Sequence, residues 1–425
     1  VQESYLSTAY SAGRYGANAR ALAAASIGNM LEWYDFAIYA FSATILARHF
    51  FPRSDETASL LATFATFGVG FVVRPLGALV IGRLGDVRGR KAALLTSMFL
   101  MAIGTVGIGL LPDQPAIGAW APALLVCCRA LQGFSAGAQW TSATIFVVEW
   151  APRGHRGYFG SFQQVSVTAG FLLGSVLAAL LSTFLSPAQM DQWGWRALFI
   201  AGGLLIPVGL YVRRFVDEPP PAQASAATPP PARRWGNPLL ALKAGGFTVL
   251  WTAAYYAILS YLPTFFTRYG GLSAAHALWL NALGMVVLML STPLFGAWSD
   301  RIGRRPLLLG SCLAFALLSY PLFFLMVAGY GWAAMVAFGL MIAAFNGPGP
   351  ASIAELFQRN SRSTWMAIGY SLSVALFGGF APYIATWLIR ATGSPLSPTY
   401  YLSVAAIISG LVIFGMRETA QDELH

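Results

Sequence analysis

Two carboxylates stand three residues apart in an apolar run, Glu32 and Asp35 within Gly28-Asn29-Met30-Leu31-Glu32-Trp33-Tyr34-Asp35-Phe36. At that spacing they take neighbouring positions on one helix face. Two acids so close, away from water, disfavour double ionisation, so one of them is expected to hold a proton near neutral pH. Two arginines, Arg74 and Arg129, are also set inside long apolar segments. A charge at that depth is costly enough to make its bearer a functional candidate by default. Arginine presents a planar fork that takes a carboxylate through two parallel hydrogen bonds. The pattern predicts a proton-coupling site on Glu32 and Asp35. One arginine is expected to receive an anionic substrate group, and the other to hold the acids between cycles. Spacing alone leaves open which acid titrates and which arginine does which.

At about 1.5 Å per helical residue, Glu32 and Gln139 fall roughly 15 Å and Arg74 roughly 12 Å from the same membrane face, so the three share a layer near the midplane. Arg129 falls closer to the level of Asp35. Other polar or aromatic candidates for substrate contact are Asn29, Gln163, Tyr256, Asn346 and Tyr370. Gln163 and its neighbour Gln164 lie near a span end, where helix–helix glue is an equal reading. Asn346-Gly347-Pro348-Gly349-Pro350 predicts a kink with freed carbonyls.

The elements that carry these residues are membrane helices. Hydrophobic residues make up 57% of the chain and charged residues 10%, far too few charges to coat a soluble surface of this length. Spans of about 20 apolar residues can be drawn twelve times, near 20–46, 57–82, 91–111, 119–148, 157–184, 194–215, 240–266, 275–298, 306–328, 332–354, 364–391 and 398–416. Residues 1–19 lack the apolar core of a cleavable leader, so the first run is expected to remain as an anchor. The expected organisation is a tail 1–19, a six-helix bundle 20–215, a Pro/Ala-rich linker 216–239, a second six-helix bundle 240–416 and a tail 417–425. The net charge of +10 is topological: sixteen Arg and Lys fall on one side and only Arg48, Arg53, Arg196, Arg268 and Arg390 on the other. That bias makes the richer side, with both termini, cytoplasmic. Nucleic acid is not the implied partner; lipid is.

The two bundles echo one another. Gly82-Arg83-Leu84-Gly85-Asp86-Val87-Arg88-Gly89-Arg90-Lys91 returns as Gly296-Ala297-Trp298-Ser299-Asp300-Arg301-Ile302-Gly303-Arg304-Arg305. The aspartates are 214 positions apart (300 − 86), close to half of the 425-residue chain. Glu149 with Arg153 and Arg156 ends the fourth span as Glu355 with Arg359 and Arg362 ends the tenth. Both echoes give the same six-plus-six register. Asp86, Arg90, Glu149, Arg153, Asp300, Arg304, Glu355 and Arg359 are therefore candidate gating residues, paired while the inner side is closed and solvated when it opens.

The loop signature resembles that of the major facilitator superfamily over essentially the whole chain. Arg129-Ala-Leu-Gln132-Gly133-Phe-Ser-Ala136-Gly137 is similar to its fourth-helix motif. The first-helix run around Glu32, Arg74-Pro75-Leu76-Gly77 and Phe377-Gly378-Gly379-Phe380-Ala381-Pro382 resemble the metabolite:proton symporters, carriers of citrate, 2-oxoglutarate, shikimate and proline or betaine. The resemblance implies a monomeric, proton-driven importer in a bacterial inner membrane. Two positions depart from the pattern: Val87 stands where the motif usually has Arg, and Gln139 where relatives commonly carry an acid.

The leading expectation is proton-coupled import of a small organic acid such as a di- or tricarboxylate. The alternative within transport is a zwitterion such as proline or betaine, its ammonium held on aromatic faces. A polytopic membrane enzyme is the reading from another class. The histidines form no metal spacing, and Cys127, Cys128 and Cys312 lie in apolar runs. No cofactor and no metal are expected.

Overall fold

The computed structural model describes residues 29–52, 54–137, 139–204, 207, 238–357 and 362–420, with backbone alone at 86, 90, 91, 139, 142, 146, 150, 238 and 362–364. Every regular element among the described residues is helical. In lipid the backbone must satisfy its own hydrogen bonds, and long apolar runs without strand alternation do so as helices. Seven helical stretches there are long and apolar enough to cross a membrane, eight if one bent pair counts as a single span.

In the first half, α1 (residues 29–41) and α2 (Ala43–Phe50) are separated by a turn at Ser42. There follow α3 (Glu56–Val72), α4 (Arg74–Arg88), α5 (Arg90–Leu110), α6 (Trp120–Ser135), α7 (Gln139–Trp150), α8 (Arg156–Phe184) and α9 (Trp195–Ala201). The second half holds α10 (Pro238–Ala254), α11 (Leu262–Tyr269), α12 (Ala274–Ile302), α13 (Arg304–Val327), α14 (Gly331–Asn346), α15 (Gly349–Glu355), α16 (Arg362–Ser373), α17 (Ala381–Thr392) and α18 (Pro398–Phe414).

The breaks have local causes. α3 passes into α4 at Val73, where Pro75 removes a donor and Arg74 becomes the first residue of the new helix. A π-helical turn, Tyr255–Ser260, and then Pro263 bend α10 against α11 by 48°. A second such turn, Val374–Gly378, precedes Pro382 in α17. Asn346-Gly347-Pro348 divides α14 from α15. The duplicated motif sits at helix ends rather than in a free loop. α4 meets α5 through Gly89 at φ 92°, and α12 meets α13 through Gly303 at φ 103°. Each is a left-handed turn that glycine enters without a Cβ penalty.

The halves meet along α8 and α12, and where α17 crosses α3. With lipid on the outside, such contacts are made by close packing rather than by expulsion of water.

Candidate functional site

Glu32 and Asp35 are buried on α1, but they belong to two separate centres. At the first, Arg74 Nη2 lies 3.6 Å from Glu32 Oε1. The guanidinium is stacked on Trp33, Phe36 and Phe71, with ring centroids 5.3, 4.7 and 4.7 Å from Cζ. Its Nε and Nη2 have no hydrogen-bond partner, and neither has Glu32 Oε2 or the nearby Tyr256 hydroxyl. Nε and Nη2 form one edge of the guanidinium, the edge that grips a carboxylate side-on. Buried polar atoms are normally satisfied, so this orphaned edge marks a place for a ligand group.

At the second centre, Thr105 Oγ1 on α5 is 2.7 Å from Asp35 Oδ2, and Gln132 Nε2 donates to the same hydroxyl at 2.7 Å. Arg129 Nη1 donates to Gln132 Oε1 at 2.7 Å, and Nη2 to the Phe67 carbonyl at 3.4 Å. Its guanidinium is enclosed by the rings of Phe36, Tyr39 and Phe67. The Arg-x-x-Gln-Gly motif has a direct physical reading here. Arg129 and Gln132 bond one turn apart, and Gly133 lets α6 touch α3, since a Cβ there would fall 1.7 Å from the Gly70 carbonyl oxygen.

Between the halves lies a central chamber collapsed to about 20 Å³, room for about one water. Trp33, Trp140 and Gln164 line it from the first half, and Trp251, Tyr255, Tyr256 and Tyr370 from the second. Trp140 and Tyr370 stack across the boundary at 3.7 Å and 8°. Asn29 stands behind this wall: its Oδ1 accepts the Trp33 indole N–H at 3.2 Å, and its Nδ2 donates to Ser166 at 2.7 Å. Gln163 also stands behind, its Oε1 accepting from Gln164 at 2.7 Å, so Gln164 rather than Gln163 reaches the chamber. Asn346 is buried at the break after α14 with neither amide atom partnered, and it does not line the chamber. Gln139 begins α7, and its side chain lies outside the described residues. Trp33, Trp140 and Trp251 are wall residues that sequence reasoning did not single out as such, whereas Gln164 takes the substrate-contact side of its two readings.

The motif-bearing end forms a buried latch between the halves. Asp300 Oδ1 and Oδ2 accept the Gly157 and Tyr158 N–H groups at the start of α8, both at 2.9 Å. Arg304 Nη1 holds Asp300 at 2.7 Å, while Arg304 Nη2 and Arg156 Nη1 reach Glu355 at 3.5 and 3.7 Å. Gly157 and Gly296 permit this approach; a Cβ on Gly157 would fall 2.6 Å from the Gly296 carbonyl. The tail clasps the latch. Glu418 accepts the Arg304 and Arg305 N–H groups at 2.8 and 3.0 Å, capping α13, and Thr419 donates to Glu355 at 2.6 Å. Burial alone would raise the Glu418 carboxyl, but four backbone N–H donors outweigh it and hold it below the usual carboxylate range. The two copies of the motif are unequal here: Glu355 is buried in the network, while Glu149 and Arg153 are exposed at the end of α7. The side chains of Asp86 and Arg90, and all of Arg359, lie outside the described residues.

The opposite end is bridged by exposed pairs. Asp55 caps α3 through Thr57 and Ala58 N–H and reaches Arg390 at 2.7 Å, and Glu56 meets Arg268 at 3.2 Å. Both ends are bridged and the central chamber is collapsed, while a cavity of about 670 Å³ lined by Phe41, Glu56, Ser59, Arg268 and Leu278 stands between the halves at the Asp55 end.

The Sugar (and other) transporter family matches residues 21–222 and 244–425. The proline/betaine transporter of Escherichia coli K12 is 34% identical over 423 residues, 95% of this chain and 84% of the relative. The glycine betaine/proline/ectoine/pipecolic acid transporter OusA of Dickeya dadantii is 33% identical over 428 residues, with the same coverage. A putative proline/betaine transporter of Staphylococcus aureus is 33% identical over 93% of this chain and 87% of its own length. Among solved structures, the major facilitator superfamily proton:xylose symporter XylE superposes with a TM-score of 0.76 at 20% identity, covering 95% of this chain and 96% of the other. That is a likeness of fold. The chain is therefore a member of the Sugar (and other) transporter family, an all-α, multi-pass secondary transporter of the major facilitator fold.

Proposed function

We propose that the chain imports a small zwitterion of the proline or betaine type with a proton, across a bacterial inner membrane, by alternating access. The observation that carries this is the single orphaned edge of Arg74 beside a chamber walled by aromatic rings. One free fork suits one carboxylate. Arg129, the other arginine beside α1, directs Nη1 and Nη2 to Gln132 and Phe67 and is enclosed by three rings. A di- or tricarboxylate would need further cations; among the described residues the chamber wall itself is aromatic and polar, and Arg74, stacked on its wall residue Trp33, supplies one. Indole and phenol faces instead attract a substituted ammonium through their quadrupoles. The names of the relatives agree with this reading, and the expectation of a polycarboxylate gives way to it.

In this scheme the substrate carboxylate takes the edge of Arg74, loosening its long contact with Glu32. Asp35 carries the coupled proton at the second centre, and Phe36 separates the two. The buried latch of Asp300, Arg304, Arg156 and Glu355 is the cytoplasmic gate, and the exposed pairs of Asp55 and Glu56 are the outer one. The test is proteoliposomes with a trapped pH dye, offered proline, glycine betaine, shikimate, citrate and 2-oxoglutarate in turn. Acidification with proline or glycine betaine, lost in Arg74→Gln, is the expected result. Acidification with citrate or 2-oxoglutarate alone overturns the proposal.

A further inference from the structure

The two oxygens of Asp35 have different surroundings. Oδ1 has no hydrogen-bond partner and faces Gly202, where a Cβ would come within 2.9 Å of it. Oδ2 has the Thr105 hydroxyl at 2.7 Å. That hydroxyl also receives Gln132 Nε2 at 2.7 Å and lies 3.0 Å from the Met101 carbonyl, one turn back on α5. A hydroxyl has one hydrogen and two acceptor positions, so Thr105 cannot donate to Asp35 and Met101 at once.

The hydrogen count closes in two ways. With Asp35 ionised, Thr105 donates to Oδ2, and the Met101 carbonyl keeps only its place in the helix. With Asp35 protonated on Oδ2, the new O–H donates to Thr105, and the Thr105 hydrogen turns to Met101. In both arrangements Gln132 Nε2 donates to Thr105, and Arg129 keeps that amide from flipping by donating to its Oε1 at 2.7 Å.

We infer that Thr105 is a positioning residue for the proton step, its one hydrogen turning with the charge on Asp35 so that Oδ2 is paired in either state. Gln132, oriented by Arg129, fixes the acceptor side. The inference rests on the reading that Asp35 carries the coupled proton. The charged groups acting on Asp35 are Arg129 on α6 and Glu32 on its own helix. Thr105 on α5 and Gly202 contribute hydrogen bonding and space rather than charge. Nothing in the sequence marks Thr105, an ordinary threonine in an apolar span.

The experiment compares Thr105→Val, which keeps the shape and removes the hydroxyl, with Thr105→Ser, Asp35→Asn and wild type. Each is measured in proteoliposomes with proline or glycine betaine, as initial pH-driven uptake across a range of external pH and as exchange of labelled substrate. In Thr105→Val the ionised acid loses its donor, so the pH of half-maximal uptake moves upward by roughly one unit. Exchange, which needs no net proton movement, falls less than pH-driven uptake does, and Thr105→Ser restores the wild-type profile. A Thr105→Val profile superimposable on wild type, with Asp35→Asn uncoupled, overturns the role of Thr105 alone. Asp35→Asn that still accumulates substrate on a proton gradient overturns the reading beneath it. Infrared difference spectra give a second readout: a protonated-carboxyl band absent from Asp35→Asn shifts in Thr105→Val if the hydroxyl bonds the acid. An unmoved band refutes the contact.

Discussion

Phe36 stands between two guanidiniums, 4.7 Å from that of Arg74 and 4.8 Å from that of Arg129. One charged layer is thereby divided into a centre with an unpartnered guanidinium edge and a centre in which Arg129 is held by Gln132 and Phe67. The free edge needs a fork, not only a charge. Arg74→Lys is therefore expected to weaken substrate binding at least tenfold, about 1.4 kcal/mol, with normal yield of folded protein; binding to purified protein measures it. Trp140→Leu removes half of the stack on Tyr370. It is expected to weaken glycine betaine more than proline, because a quaternary ammonium draws more on ring faces; competition between the two labelled substrates checks the ratio. The structure buries Glu32, Asp35, Arg74 and Arg129, and sequence marks them because a charge in an apolar span is costly. It does not mark Trp33, Trp140 and Trp251, because aromatic residues are ordinary in membrane helices and only convergence from different helices makes a chamber. The expectation of several carboxylates gives way, under the proposed function, to the zwitterion alternative. Counting the arginines in apolar spans could not reveal that Arg129 turns both Nη groups to Gln132 and Phe67.

Helices meet here through absent side chains and capped ends. Gly133→Ala would drive a Cβ to 1.7 Å from the Gly70 carbonyl, a backbone atom that cannot turn aside. Separation of α3 from α6 should displace Arg129, so the variant is expected to lose most folded protein, read as monodisperse yield in detergent. The Glu418 cap has a pH signature. Its carboxyl is held below its ordinary range, so its contribution is present above the unfolded-state pKa and is lost as pH falls through the folded one. Wild-type thermal stability should decline in that acid window, and Glu418→Gln should start lower at neutral pH and show less of the decline. Melting in detergent across pH measures both. Sequence placed the motif in free loops, whereas it caps and ends helices. A repeat shows that two segments are equivalent, not which bond partners they find. The partners of Glu418 were not legible either, since nothing local says that the tail turns back to cap α13.

Closure of the whole molecule is uneven. The latch of Asp300, Arg304, Arg156 and Glu355 is buried, while Glu56 and Arg390 at the other end are exposed. Exposed pairs contribute about 0–1 kcal/mol and are screened by salt, whereas removing one member of a buried network leaves an uncompensated charge. Raising salt is therefore expected to increase thiol labelling of Ser59→Cys at the exposed end several-fold, with little change at Ser161→Cys beside the latch. Asp300→Asn should reverse the preference. The twofold echo and the helical class were legible in sequence because hydropathy and spacing are local, while the bridging of the two ends rests on contacts between distant segments. The same bridging has an optical consequence. Trp140 lies parallel to Tyr370 only while the halves touch, and neighbouring rings govern how an excited indole loses its energy. Parting of the halves should change ultraviolet emission from Trp140, and the change should vanish in Trp140→Phe. Each transport cycle would then flicker in the protein's own fluorescence, and turnover could be timed by light alone.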